Sequence, residues 1–321
     1  LFTLFLNSCL RNSSQVIISG STMGTTYSIT IINFEHERKN FKFLIDSKLQ
    51  SINDIFSTYL IDSEISNINK SKSNNIELSD EFLYVLNKAL AYCSLVDGSY
   101  DITVGPLIEL WGFNDSYNDI IPEHKEILNV LNEVGFEYIS INDNYLTKKN
   151  LNITIDLNSI AKGYAVDEIS DLLELNGYFD YLVEIGGEVR TRKNKYEKEW
   201  LIGIQHPTSN KIIKQINLNN LSMATSGTYN NYFDYKNVTY SHIMNPDTGY
   251  PYKNRTVSAT VVSKHCIDSD AFATISMTVD PQEAITLINN IDNIEAYLIE
   301  VGINGQLVEY STIGFDKLVY K

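Results

Sequence analysis

The chain has 321 residues, enough for one large domain or two modest ones. Hydrophobic residues make up 43% and charged residues 20%, a globular composition that excludes a disordered or fibrous chain. With 40 acidic residues against 25 basic, the net charge is −15. That argues against nucleic acid as the main partner, and any phosphate-bearing ligand needs a metal or backbone amides to hold it.

The first residues, Leu1-Phe-Thr-Leu-Phe-Leu-Asn-Ser-Cys-Leu10, read as the end of an apolar signal region. Leu6-Asn-Ser-Cys9 resembles a bacterial lipobox, whose cysteine is lipidated and becomes the new N-terminus. Residues 1–8 are expected as the remnant of a lipoprotein signal peptide, 9–19 as an N-terminal tether and 20–321 as the working domain. The alternative is a plain apolar start with an ordinary cysteine. No stretch reaches the ~20 apolar residues of a membrane span.

Ile17 to Ile32 reads as two strands around a turn at Gly20 to Gly24, the second with alternation at Tyr27, Ile29 and Ile31. Phe41 to Phe56 has a helix period. The polar stretch Asn67 to Asn75 reads as a surface loop. Ser79 caps a second helix, with Asp80 and Glu81 in its first turn and a stop near Gly98. Cys93 falls within that helix. Pro122 opens a third helix ending near Gly135. Leu151 to Leu157 alternates as a strand, and Ile160 to Leu175 follows as a helix stopped at Gly177. Tyr181 to Val189 and Trp200 to Gln205 read as strands. Cys266 is expected near a strand end, and Ser269 to Thr278 as a helix. Asp280-Pro281 opens a helix through Ile291, Pro being favoured at the first helical position. Ala296 to Val301 and Gln306 to Tyr310 form a hairpin across Asn304-Gly305. Strands and helices mix without strict βαβ alternation, so the class is α+β with antiparallel sheets flanked by helices.

The densest chemistry lies in Tyr240-Ser-His-Ile-Met-Asn-Pro-Asp-Thr-Gly-Tyr-Pro-Tyr252 and Asp268-Ser-Asp-Ala-Phe-Ala-Thr274. His242, one of five histidines, precedes a segment built to turn. Asp270 and Thr274 stand four apart, on one face if helical. A carboxylate and a hydroxyl, completed by phosphate oxygens and water, suit Mg²⁺. The bland alternative is a buried strand histidine and a capped helix. Gly20-Ser-Thr-Met-Gly-Thr-Thr-Tyr27 brings backbone amides near a ligand or is a plain turn. It is neither a P-loop nor a Rossmann fingerprint. Tyr59 stacks on a planar ring or packs in the core. Asp97-Gly-Ser-Tyr-Asp-Ile-Thr-Val-Gly-Pro-Leu107 lines a ligand site or is a packed turn. Ile155-Asp-Leu-Asn-Ser-Ile-Ala-Lys-Gly-Tyr164 runs from strand into helix, a junction suited to phosphate, with Asp156 as an alternative N-cap. Glu184-Ile-Gly-Gly-Glu-Val189 reads as a strand broken by glycines, and Thr225-Ser-Gly-Thr-Tyr229 as another turn.

In this order, the motifs closely resemble the ApbE family, the FAD:protein FMN transferases, from about Gly20 to the C-terminus. The resemblance implies an ApbE-like, T-fold-like architecture and a Mg²⁺-dependent reaction. FAD is split at its pyrophosphate, FMN passes to a Thr or Ser hydroxyl of an acceptor protein as a phosphoester, and AMP leaves. It implies acceptors among flavoprotein subunits of sodium-pumping NADH:quinone oxidoreductase and Rnf complexes. It also implies a lipoprotein, anchored through Cys9 to the outer side of the cytoplasmic membrane. By motif position, Asp270, Thr274 and the main-chain carbonyl of Ala161 are the implied metal ligands. Met23, Tyr59, Ser99, Tyr100, Asp101, Asp156 and Ser159 are the implied FAD contacts, and His242 the implied base. Asn158-Ser159 departs from the pair common in the family, and Asn245 replaces a common Asp. Lys162 is given no catalytic role. The alternatives are an FAD diphosphatase releasing FMN and AMP, or a flavin-binding lipoprotein without turnover.

Overall fold

The structure, a computed structural model, describes residues 15–113, 121–193, 199–207, 209, 211–228, 232–235, 238–253, 256–302 and 304–321. Cys9 and the expected signal remnant lie outside the described residues. The chain opens with a hairpin, β1 (Gln15–Thr22) and β2 (Thr25–Ile32), so residues 15–19 of the expected tether are strand. Its turn is Met23-Gly24, both with positive φ, narrower than the Gly20–Gly24 expectation. Gly20 lies inside β1 because the Tyr27 ring covers it, and a Cβ there would meet that ring at 2.6 Å.

Helix α1 (Arg38–Phe56) follows, then α2 (Glu64–Lys70), which overturns part of the Asn67–Asn75 loop expectation. The Ser63 side chain caps α2 by accepting from Ser66 N, and Ile65 and Ile68 are buried. After β3 (Ile76–Glu77) comes α3 (Asp80–Leu95), capped by Ser79 as expected. The short α4 (Gly105–Leu110) and α5 (His124–Leu131) follow, and a capping box of Glu123 and Glu126 opens α5. Strands β4 (Ile139–Asn142) and β5 (Tyr145–Lys148) form a three-stranded sheet with β3.

Leu151 to Leu157 is not a strand. Ile153, Ile155 and Leu157 point inward as the alternation suggested, but the backbone bonds at Ile155 go to a side chain. Asn69 Nδ2 donates to Ile155 O at 2.9 Å, and Ile155 N donates to Asn69 Oδ1 at 2.8 Å. Helix α6 (Ala161–Leu175) starts and ends close to expectation. The expected single strand Tyr181–Val189 is a hairpin, β6 (Tyr181–Ile185) and β7 (Glu188–Arg192). Gly186 and Gly187, at φ 63 and 104, are its two turn residues.

Strands β8 (Leu201–Gln205) and β9 (Ile212–Asn217) pair with each other. The stretch read as a turn at Thr225 is the end of β10 (Ser222–Gly227), and Tyr229 lies outside the described residues. A separate hairpin, β11 (Tyr232–Tyr235) and β12 (Val238–Ser241), precedes β13 (Thr256–Ser263). Helix α7 (Cys266–Ile275) starts three residues before Ser269, so Cys266 opens a helix. Helix α8 (Pro281–Asn289), capped by Asp280, and the hairpin of β14 (Glu295–Val301) and β15 (Leu307–Ser311) complete the chain.

Eight strands make one antiparallel sheet in the order β1-β2-β6-β7-β10-β13-β14-β15. Strand alternation sends Ala296 and Leu298 to the helical side, where α1, α6 and α7 pack, and Tyr297 and Ile299 to the other. There Ile204, Ile216 and Phe315 cover them. A third cluster joins Leu107, Trp111 and Ile127 to Phe233 and Met244, fastening the β11–β12 hairpin and the turn after it. No helix among the described residues is long and apolar enough to cross a membrane.

Candidate active site

The site is built where α6 crosses α7. Gly163 makes the crossing possible, since a Cβ there would lie 2.3 Å from the Cys266 carbonyl oxygen. Asp167, one turn along α6, caps α7 by accepting from Cys266 N and Ile267 N at 2.9 Å each. Arg190 Nη1 donates to the same carboxylate at 2.7 Å, so β7, α6 and α7 are locked together. Burial pushes the Asp167 carboxyl up, and Arg190 and the two amides draw it back.

Asp270 and Thr274 stand four apart on α7, as the sequence suggested. Asp270 is buried, and its Oδ2 accepts from Gly163 N at 2.8 Å. Its Oδ1 makes no hydrogen bond among the described residues and faces Lys162 Nζ at 3.7 Å. Thr274 Oγ1 lies 3.2 Å from Ser226 Oγ of β10. Ala161 is the first residue of α6. Carboxylate, hydroxyl and main-chain carbonyl are hard oxygen donors of the kind Mg²⁺ takes. The described residues contain no group of three or more His, Cys, Asp or Glu able to hold a metal. An ion at Asp270 therefore needs oxygens from a bound ligand and water, so the donor set fits an ion that arrives with a phosphate.

Two loops meet beside α6. Tyr100 OH and Ser159 Oγ share a hydrogen bond of 2.8 Å, and Asp156 N donates to Ile102 O at 2.7 Å. Asp101 is consumed internally: it accepts from Thr103 N and Oγ1 at 2.7 Å each and from Phe136 N at 2.8 Å. Its carboxylate orders the 97–103 loop. Desolvation pushes both Asp101 and Asp156 up. Asp156 accepts from the backbone and side chain of Asn158, so the unusual Asn158 closes a local turn and leaves Ser159 to Tyr100.

His242 follows β12 directly. The next turn is fixed by Asn245, whose Oδ1 accepts from Asp247 N and Thr248 N at 2.9 Å each. Gly249, at φ 71, packs where a Cβ would meet Ile127 at 2.4 Å. Trp111 Nε1 donates to Gly249 O at 2.9 Å. Tyr252 OH then donates to Ser99 O at 3.0 Å, tying the histidine segment to the Ser99–Asp101 loop. The His242 ring stands edge-on to Phe113, centroids 6.5 Å apart.

Met23 and Tyr59 lie apart from this hydrogen-bonded chain. Met23 occupies the β1–β2 turn at φ 50. Asn53 Nδ2, near the end of α1, donates to Thr22 Oγ1 at 2.9 Å, so that turn adjoins the helix end preceding Tyr59. Tyr59 is 72% exposed, which removes the core-packing alternative. Phe56 packs edge-on to Tyr164 of α6 at 5.5 Å, linking this end of α1 to the first turn of α6.

Sequence reasoning gave Lys162 no catalytic role and assigned none to Glu188 or Ser226, and the structure places these three beside Asp270 and Thr274. Lys162 Nζ donates to Glu188 Oε1 at 2.6 Å. Burial pushes the Glu188 carboxyl up and Lys162 draws it down. Burial also works against the Lys162 charge, but Asp270 and Glu188 outweigh it and hold the ammonium above its ordinary range. The signal for Glu188 was the Gly-Gly pair before it, which marks a hairpin delivering the next residue inward.

The comparisons agree with the fold. A family model described as "ApbE family" matches residues 23–298. An FAD:protein FMN transferase of Vibrio cholerae is 38% identical over 291 residues, 88% of this chain and 87% of the relative. One from Haemophilus influenzae is 34% identical over 334 residues, 98% of this chain and 94% of the relative. The solved flavin transferase ApbE from Vibrio cholerae superposes with a TM-score of 0.87 at 35% identity, covering 95% of this chain and 99% of that one. The ApbE protein from Thermotoga maritima gives 0.84 at 28% identity, covering 96% and 100%. With the match spanning most of the chain, this protein belongs to the ApbE family.

Proposed function

We propose that this chain is an FAD:protein FMN transferase that uses Mg²⁺, passes FMN from FAD to a Thr or Ser hydroxyl of an acceptor protein, and releases AMP. The observation that carries it is Asp270: a buried carboxylate with one oxygen fixed by Gly163 and the other without a hydrogen bond, four residues before Thr274. The name carried by the Vibrio and Haemophilus relatives supports the same activity.

Asp270, Thr274 and the Ala161 carbonyl would hold the Mg²⁺, which would neutralise charge on the pyrophosphate and on the departing AMP. His242 would take the proton from the acceptor hydroxyl as it attacks the FMN phosphorus, the work of an imidazole near neutral pH. Met23, Tyr59, Ser99, Tyr100, Asp101, Asp156 and Ser159 would border the flavin nucleotide. The exposed Tyr59 ring offers a face on which an isoalloxazine can stack. The acceptor proposed is a flavoprotein subunit of the sodium-pumping NADH:quinone oxidoreductase or Rnf kind. The location proposed is the outer side of the cytoplasmic membrane, through a lipid on Cys9.

The test is incubation with FAD, Mg²⁺ and an acceptor bearing a Thr-containing target segment. Flavin fluorescence should stay with the acceptor in a denaturing gel. FMN and AMP in solution with a dark acceptor band would favour the diphosphatase. No consumption of FAD would overturn both.

A further inference from the structure

Lys162 and Glu188 stand beside Asp270, and neither has a part in the reaction above. Lys162 Nζ has two acidic neighbours, Glu188 Oε1 at 2.6 Å and Asp270 Oδ1 at 3.7 Å. The first is a hydrogen-bonded ion pair, and the second is too long for a hydrogen bond. Lys162 is thus drawn toward Glu188 and held off Asp270. Because Gly163 N takes Asp270 Oδ2, Oδ1 is the oxygen left open.

Glu188 is placed for this at some cost. It is 3% exposed, and its Oε2 has no hydrogen-bond partner among the described residues. A buried carboxylate with one oxygen unpaired disfavours folding. The Gly186-Gly187 turn, with both residues at positive φ, delivers it to this position. A pair that served only stability would be expected to satisfy both oxygens.

Without the charge on Glu188, the Lys162 ammonium would settle on the other acid in reach, Asp270 Oδ1. It would then occupy the lone pair a cation needs and repel that cation. We propose that Glu188 is a positioning residue that holds Lys162 away from Asp270 and so keeps Asp270 Oδ1 open to a divalent ion. This rests on the reading of Asp270 as a metal ligand.

The test is a titration of Mn²⁺ into the full chain saturated with ADP, a pyrophosphate ligand without flavin, with free Mn²⁺ read by electron paramagnetic resonance. Glu188→Gln keeps the shape and removes the charge, and should raise the Mn²⁺ dissociation constant about tenfold or more. Adding Lys162→Met to Glu188→Gln should restore binding to within about threefold of the native protein, because the competitor is gone. Thermal unfolding is followed beside the titration. If the pair is structural only, Glu188→Gln lowers the melting temperature with Mn²⁺ binding unchanged, or the double variant binds no better than Glu188→Gln. Either outcome overturns the proposal. Should Glu188→Gln fail to fold, Lys162→Met alone decides. Mn²⁺ binding as tight as native or tighter supports the proposal, and a tenfold loss overturns it. Native protein that takes up no Mn²⁺ would remove the metal reading itself, and this inference with it.

Discussion

Gly163→Ala sets two effects of opposite sign against each other. Position 163 lies in the first turn of α6, and by helix propensity alone alanine should stabilise by roughly 1 kcal/mol. The added methyl would sit 2.3 Å from the Cys266 carbonyl oxygen and 2.8 Å from Asp270 Cβ. The first of these is backbone and cannot rotate away, so α6 and α7 must separate. Overpacking of this kind costs about 1–3 kcal/mol. Separation also strains the hydrogen bond from Gly163 N to the Asp270 carboxylate, of a class worth about 1.5–3 kcal/mol. The clash should win, with a net loss of about 2–5 kcal/mol. The assay is equilibrium unfolding in urea followed by circular dichroism. Gly177→Ala is the control: it lies just past the C-cap of α6 with no atom of the described residues within 4 Å, and its φ is 85, so a loss of roughly 1–2 kcal/mol is expected there. A Gly163→Ala protein as stable as the native one would refute the close crossing, and with it the placement of Asp270.

Four further outcomes are expected. Asp270→Ala should abolish both FMN transfer and FAD hydrolysis at ordinary Mg²⁺, and native rates in a Mg²⁺ titration would end the metal assignment. His242→Ala should still bind FAD by calorimetry but transfer FMN roughly 10²- to 10⁴-fold more slowly, whereas near-normal transfer would remove the histidine from the mechanism. Desolvation raises the folded pKa of Asp101, so its contribution to stability is whole below the unfolded carboxylate value of about 3.9 and is lost as pH rises through the raised value. Relative to the native protein, Asp101→Asn should therefore gain stability as pH rises above about 4, and a constant difference in urea midpoints would contradict this. Cys9→Ser should release the protein from membranes, as seen by detergent partitioning, and a variant that stays membrane-bound would end the lipobox reading.

Helices α1 and α3 were legible in the sequence because each carries a one-sided apolar period, α6 because Gly177 stops it, and α3 and α8 because they carry their own caps, Ser79 and Asp280. The family was legible in the order of its motifs, and the i, i+4 pairing of Asp270 and Thr274 in their spacing. These are local properties, fixed by residues within a few turns of one another. Tertiary structure decided the rest, because apolar periodicity says which face a segment buries and not what satisfies its polar groups. Leu151–Leu157 alternates like a strand, yet Asn69, far along the chain, takes both backbone bonds of Ile155. Gly186 and Gly187 make a turn because β6 and β7 pair with each other. Asp101 is spent on holding its own loop. The environment of Asp270 comes from Gly163, Lys162 and Glu188, which reach it only when α6 and β7 close on α7. The sequence by itself determined which groups are available for the chemistry. The packing of α6 against α7 decided which oxygen of Asp270 is left open to act.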